Sequence, residues 1–360
     1  MSRRRPAAAF VLAILLTMNP PPESAVGAWS ASADAVSALH VDGNQLVDSS
    51  GLTVQVRGVN RSGTEYACIQ GWGIFSGPND AASIQAMKAW RVNAVRVPLN
   101  EDCWLGINGV PTAYSGPAYQ QAIKDYVSLL NQNGLYAILD LHWSAPGTSA
   151  ANWYAPMPDL DHSPDLWTGV AAACKGNDAV IFELFNEPWP DSQQDSTAAW
   201  TCWRDGGSCP GVSFAAAGMQ TLVNAVRAAG ATNVLVLDGV SYGNSLSQWL
   251  TYKPNDPLNN LAAAWHVYNF NVCNTTSCFD ATAGVVDAQV PVLATEIGTN
   301  CDFAFMTTIM NWLDARQAGY VAWTWNAWGS DCSSIALISD YAGTPTDYGQ
   351  TYKLHLADRP

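Results

Sequence analysis

Positive charge is scarce in this chain. Lysine and arginine together make up 16 of 360 residues against 30 aspartates and glutamates, a formal net charge of -14 with histidine neutral. Such a balance lacks the basic footprint that nucleic acid or an anionic membrane surface needs, so neither is expected as a partner. Charged residues of both signs come to only 13%, and a neutral ligand suits the chain better. No glycine-rich phosphate loop follows the first strand-like run, which argues against a doubly wound nucleotide-binding sheet. No cysteine spacing of the metal-finger kind is present. Beyond the first 16 residues, no run is long and apolar enough for a transmembrane helix.

What is plentiful is apolar and aromatic. Hydrophobic residues make up 48% of the chain, with 16 Trp and 13 Tyr, enough for a core of barrel size. Flat aromatic faces with a polar edge also suit the C–H faces of sugar rings. At the start, a basic stretch (Ser2 to Arg5) precedes an apolar one (Ala7 to Leu16), with small-residue cleavage sites after Ala28 and after Ala33. Residues 1–33 therefore read as a signal peptide and disordered lead, and the protein is expected to be secreted. Nine cysteines fit an oxidising compartment. Pairing within loops suggests Cys202–Cys209 and Cys273–Cys278, leaving Cys174, in a helix-like segment, as the odd one.

Residues 39–58 read as a hairpin turning at Ser49-Ser50-Gly51, with Val54 and Val56 alternating after the turn. Strand-like apolar runs then recur at 54–60, 92–98, 135–143, 180–187, 234–239, 261–268, 290–298 and 320–328. Helical spacing fills the gaps: Ile84, Met87 and Trp90 after Asp80; Tyr119, Ile123, Tyr126, Val127 and Leu130 before Gly134; Val223 and Val226 before Gly230. Strands alternating with helices over this length predict an α/β fold of the (β/α)8 TIM-barrel type, with a short N-terminal β-hairpin. One catalytic domain is expected over residues 34–360, as a monomer. In a barrel the loops after the strands share one face. That places Cys68 near Cys103 and Cys301 near Cys332, so neighbouring loops could be stapled.

The run Val180 to Trp189 stops on Asn186-Glu187-Pro188, and Val290 to Gly298 carries Glu296 in the same way. Two carboxylates at the ends of two buried strands are what glycoside hydrolysis requires. The barrel reading brings Arg96, His142, Asn186, Glu187, His266, Tyr268, Glu296 and Trp325 to one end. Each has an ordinary explanation alone: an ion pair for Arg96, core histidines for His142 and His266, packing for Trp325. Eight such groups at one end of several strands point to a site. Arg96 is the candidate cation for lowering the pKa of a nucleophilic glutamate, Tyr268 could donate to that carboxylate, and Asn186 is placed for a sugar 2-hydroxyl.

These residues fall in an ordered set: Arg57-Gly58-Val59-Asn60, Val95-Arg96-Val97-Pro98, Asp140-Leu141-His142-Trp143, Phe185-Asn186-Glu187-Pro188, His266-Val267-Tyr268, Thr295-Glu296-Ile297-Gly298 and Trp323-Thr324-Trp325-Asn326. From about Leu39 to Trp328 the chain resembles glycoside hydrolase family 5. The resemblance implies retaining double displacement on a β-linked polysaccharide or oligosaccharide without metal or cofactor, with Glu187 as acid/base and Glu296 as nucleophile. It further implies that Arg96, His142, Asn186, His266 and Tyr268 shape the subsite around the reacting sugar, with Trp325 as the platform beneath it. Endo-β-1,4-glucanase activity is the expectation by family frequency. Mannan, mixed-linkage glucan or an exo-acting role are alternatives. Strand seven carries Thr-Glu-Ile-Gly where many cellulases of the family have Gly-Glu-Phe-Gly. Trp72, Trp104, Trp143, Trp153, Trp189 and Trp328 are candidates for further sugar subsites. Two rival readings remain. Gly239-Val240-Ser241-Tyr242-Gly243 matches the nucleophile elbow of a serine esterase, with Asp256 and His266 following in the right order. A non-catalytic sugar-binding barrel would keep the aromatics without needing either glutamate.

Overall fold

The structure, a computed structural model, describes residues 36–359. The signal-peptide reading and its cleavage sites lie outside the described residues. Strands β1 (Leu39–Asp42) and β2 (Gln45–Asp48) pair antiparallel. The hairpin thus turns at Gly43-Asn44 rather than at Ser49-Ser50-Gly51, and Thr53 adds only a single bridge to Val47. Gly43 takes φ +60 at the first central position, as in the tight II′ turns that match strand twist.

The barrel follows. Strands β3 (Arg57–Asn60), β4 (Ala94–Asn100), β5 (Tyr136–Trp143) and β6 (Val180–Glu183) pair in sequence order. A small antiparallel excursion, β7 (Gly206–Ser208) with β8 (Ala215–Ala217), interrupts them. Then β9 (Leu235–Asp238), β10 (Leu261–Tyr268), β11 (Val292–Gly298) and β12 (Gly319–Ala322) complete a closed ring in which every neighbouring pair is parallel. The expected (β/α)8 barrel is the fold of this chain.

Alternation along the strands explains the layers. On β4, Val95, Val97 and Leu99 face outward into the core shared with the helices, as do Leu139 on β5, Phe182 on β6, Leu237 on β9 and Trp265 on β10. Intervening positions point into the barrel. The lowest of these are apolar: Ala94, Ile138, Ile181, Val236, Ala262 and Leu293 form one cluster with Leu39 and Leu46 of the hairpin. The hairpin therefore plugs the end of the barrel opposite the site. Higher up, the inward positions change to Arg96, Asp140, Glu183, Asp238, His266 and Glu296, all buried. Charge in the middle of apolar strands is tolerated only with partners.

The helices keep the expected signals. Asp80 caps Ala81–Lys88 by accepting the Ser83 N–H, and Pro117 opens Pro117–Gln132. The final helix, Asp347–Ala357, ties down the ring: Tyr348 donates to the Trp323 carbonyl (2.8 Å) and Tyr352 to that of Gly58 (2.6 Å). All four suggested disulfides, Cys68–Cys103, Cys202–Cys209, Cys273–Cys278 and Cys301–Cys332, are bonded, and Cys174 is free and buried. No helix among the described residues is long and apolar enough to cross a membrane.

Candidate active site

Arg96 is the centre of the inward polar layer. Its five N–H groups go to Glu183 (2.6 and 3.0 Å), Asn60 Oδ1 (2.9 Å), Glu296 Oε1 (2.6 Å) and Asn186 Oδ1 (2.8 Å). Asp140 lies 3.0 Å from the same guanidinium. Burial works against the charge, but Asp140, Glu183 and Glu296 hold the Arg96 pKa well above its usual value. One side chain thus links residues carried by β3, β4, β5, β6 and β11.

His266 is the second buried cation. Its Nδ1 is 3.0 Å from Glu187 Oε1 and its Nε2 is 3.1 Å from Thr295 Oγ1. Burial opposes protonation, yet Asp238, Glu296, Glu183 and Glu187 together raise its pKa well above the ordinary histidine value. Burial pushes Asp140 and Asp238 well up. For Glu183 burial acts the same way but is outweighed by Arg96 and His266, and its pKa is lowered. His142 is kept neutral chiefly by burial, with its Nδ1 2.6 Å from Asp140.

Above this layer the two expected carboxylates meet. Glu296 is nearly buried and is held at both oxygens: Oε1 by Arg96, and Oε2 by the Tyr268 hydroxyl at 2.6 Å. Burial, and then the charge of Glu296, raise the Tyr268 pKa well up, so the phenol stays a donor. Glu187 is more open. The strand preceding it ends at Glu183, so Glu187 sits not at the strand end but in the irregular segment that follows. It adopts φ +51 and gives its backbone N–H to Asp238 Oδ2 at 2.7 Å. A left-handed non-glycine residue costs conformational energy, and such residues cluster at functional sites. Oxygens of Glu187 and Glu296 and a nitrogen of His266 all lie within 4.8 Å of one another. The buried Asn186 Nδ2 has no hydrogen-bond partner.

These groups open on a cavity of about 390 Å³ lined by Tyr154, Glu187, Tyr242, Tyr268, Glu296 and Trp323, among others. Seven of the eight expected site residues converge here. Trp325 does not. It is fully buried, packed edge-on against Trp90 with ring centroids 4.8 Å apart. The ring that faces the cavity is Trp323, stacked on His142 at 5.7 Å. The family resemblance implied Trp325 as the platform; the strand ends at Ala322, and the tryptophan that lines the cavity is the first to follow it. Beyond that point the Trp325 backbone N–H donates to the Asn60 carbonyl at 2.7 Å.

Other expectations also sort out. Trp104 is packing, with its indole lying over Gly169. Trp72, Trp153 and Trp328 are exposed. Ser241 is no triad nucleophile: its hydroxyl goes to the Gln193 carbonyl, Asp256 pairs with Arg227 (2.8 Å), and His266 is engaged by Glu187. Glu183, Asp140 and Asp238 were not anticipated. The available signal was a charge inside an apolar run, which demands a buried counter-ion. Among the described residues, three clusters have spacing that could hold a metal: Glu101/Asp159/His162, Glu183/Asp238/His266 and Glu187/His266/Glu296. In the last two the His266 nitrogens already face the acids or Thr295.

Comparison with known proteins matches residues 47–329 to the cellulase (glycosyl hydrolase family 5) family. A mannan endo-1,4-beta-mannosidase of Salipaludibacillus agaradhaerens is 25% identical over 331 residues, 89% of this chain and 92% of its own length. Endoglucanase CelA of Streptomyces lividans is 24% identical over 80% of this chain and 56% of its own length. Among solved structures, a beta-glucanase of Saccharophagus degradans shares the fold with a TM-score of 0.68 at 21% identity, covering 90% of this chain and 94% of its own.

Proposed function

The chain belongs to glycosyl hydrolase family 5, and on that premise we propose that it is a secreted β-glycanase that cleaves its polysaccharide with retention, using Glu187 and Glu296 in a double displacement. The observation that carries the proposal is the closeness of two unlike carboxylates. One oxygen of each lies within 4.8 Å of the other, a closeness that suits the roughly 5–5.5 Å between carboxyl groups of retaining enzymes better than the roughly 6.5–9.5 Å that leaves room for an inverting water.

Their surroundings support a division of roles. Glu296, held by Arg96 at one oxygen and by Tyr268 at the other, is the nucleophile: the two donors fix its direction of attack. Glu187, more open and beside His266, gives its proton to the glycosidic oxygen as the leaving sugar departs. A covalent glycosyl–Glu296 ester results. Glu187 then takes a proton from water, and the hydroxide displaces the ester with the original anomeric configuration. The unpartnered Asn186 Nδ2 supplies a hydrogen bond for the sugar 2-hydroxyl, and Trp323 supplies the flat face beneath the ring.

β-1,4-Glucan is our first substrate. β-Mannan is the second, favoured by the mannosidase that matches 89% of the chain. Secretion is supported by the four disulfides. The test is a hydrolysis screen on soluble β-glucan, mannan, xylan and aryl glycosides, with Glu296→Ala as control and the first-formed anomer read by NMR. Oligosaccharides released with retained configuration, and lost in the variant, are expected. Wild-type rates in Glu296→Ala, or an inverted first product, would overturn the mechanism.

A further inference from the structure

Strand β11 carries one residue more than its neighbours. Against β10 the register runs from Ala264–Leu293 to His266–Glu296, and against β12 from Tyr320–Ala294 to Ala322–Ile297. In both, β11 advances three positions while its neighbour advances two, so the extra residue, between Ala294 and Glu296, is Thr295. A bulge of this kind re-aims side chains, and bulges recur beside active sites. Here it breaks the alternation that sends consecutive strand residues to opposite faces. Thr295 and Glu296 both reach polar groups inside the barrel. The Asn60 amide, donating to the Thr295 carbonyl at 3.0 Å, holds the backbone there.

The surroundings fix the direction of the Thr295 hydroxyl. Arg96 reaches both oxygens of Glu183, at 2.6 and 3.0 Å, so that carboxyl is ionised and can only accept. Thr295 Oγ1 lies 2.8 Å from Glu183 Oε1 and gives its single hydrogen there. Toward His266 Nε2, 3.1 Å away, it has only lone pairs to offer. Nε2 therefore carries a hydrogen and donates it. Two more oxygens, of Glu183 and Asp238, stand 3.5 Å from the same nitrogen. The other nitrogen of the ring, Nδ1, is 3.0 Å from Glu187 Oε1 and 3.7 Å from Glu296 Oε2. With Nε2 committed, the proton that His266 can gain or lose sits on Nδ1, facing the two reacting carboxylates.

We propose that Thr295 is a positioning residue: its hydroxyl fixes the hydrogen of His266 on Nε2, and so turns the exchangeable proton of the ring toward the acid/base Glu187. The proposal rests on the glycanase reading above. As Glu187 passes its proton to the glycosidic oxygen, the carboxylate that forms accepts a charge-assisted hydrogen bond from Nδ1–H. Thr295 itself is fully buried and does not line the cavity, so its effect passes through His266. On its other side Glu183 ties it to Arg96, which holds the nucleophile. The acid and the nucleophile are thereby oriented by one connected set of side chains, with Thr295 as the joint between its two cations.

Two arms test this. The first compares wild type, Thr295→Val and Thr295→Ser on aryl β-glycosides of graded leaving-group pKa. Valine keeps the shape and loses the hydroxyl, whereas serine keeps the hydroxyl. The ratio kcat/KM reports the glycosylating step, in which the acid acts. Thr295→Val should lose about tenfold on the poorest leaving groups, a part of the roughly 10²–10⁴-fold typical of general acid catalysis, and little on the best. Thr295→Ser should stay near wild type throughout. Equal loss at every leaving group, no loss at any, or a serine variant as impaired as the valine one overturns the proposal. The second arm needs no variant at position 295, so it holds if Thr295→Val does not fold. Histidine-selective nitrogen labelling and NMR read the His266 ring in wild type, with His266→Gln used only to assign its signals. Nε2 should carry hydrogen at every pH at which the protein is folded, and a bare Nε2 overturns the proposal. This arm also decides the matter if wild type hydrolyses no glycoside, a result that sinks the glycanase reading alone.

Discussion

Arg96 commits all five of its N–H groups to partners from three other strands or their ends, so the nucleophile candidate Glu296 is positioned by a side chain with no freedom of its own. Glu187 has a looser setting, with one histidine and part of its carboxyl open to the cavity. That asymmetry is what a division into nucleophile and acid/base requires. The prediction at this scale concerns the acid. Glu187→Ala should slow polysaccharide hydrolysis by about 10²–10⁴-fold, the range typical of general acid catalysis. Aryl glycosides with good leaving groups should be largely spared in the first step, because they depart without a proton. Steady-state rates against leaving-group pKa would show it, and a uniform loss across the series would count against the role.

The loop after β12 shows how one element divides its side chains between function and stability. Trp323 faces the cavity while Trp325 is enclosed against Trp90. Trp323→Ala should depress turnover while leaving the denaturation midpoint nearly unchanged. Trp325→Ala should do the reverse, costing about 3–5 kcal/mol as a large buried side chain is removed while turnover persists at low temperature. Paired urea denaturation and activity assays on the two variants would separate the roles. A swap of the two phenotypes would restore Trp325 as the platform. The N-terminal hairpin belongs to the stability side of the same division, since Leu39 and Leu46 close the barrel end remote from the site.

For the whole molecule, the buried ionic layer ties stability to pH. An unfolded histidine titrates near 6.5, whereas folded His266 keeps its proton well above that. Its contribution is complete below about 6.5 and is lost as the pH rises toward the folded value, by up to about 1.4 kcal/mol per pH unit. Asp140 and Asp238, raised by burial, act in the same direction from lower pH. Glu183, lowered, contributes above the ordinary glutamate value and loses that contribution as the pH falls through its folded one. His142, kept neutral, favours higher pH only up to about 6.5. The urea midpoint should therefore fall between about pH 6.5 and about pH 9. A flat or rising profile there would mean that His266 is neutral in the fold.

The barrel was legible in the sequence, because strand alternation is a local pattern, and it brings seven of the eight singled-out side chains to one end. Two disulfides, Cys202–Cys209 and Cys273–Cys278, were legible as pairs within loops, and the other two once the barrel put neighbouring loops on one face. Three things were decided only in three dimensions. The hairpin turned at Gly43 because either glycine-bearing stretch could have made the turn, and burial of Leu39 and Leu46 selected one. Glu183 became the partner of Arg96 and His266 because a residue's counter-ions come from other strands. Trp323 lines the cavity while Trp325 packs on Trp90, because β12 stops at Ala322 and the two positions, which a continuing strand would put on one face, are separated by the irregular backbone beyond it. Local pattern sets which face a strand residue occupies. Where the strand ends, and what waits across the barrel, is set by contacts from the rest of the chain.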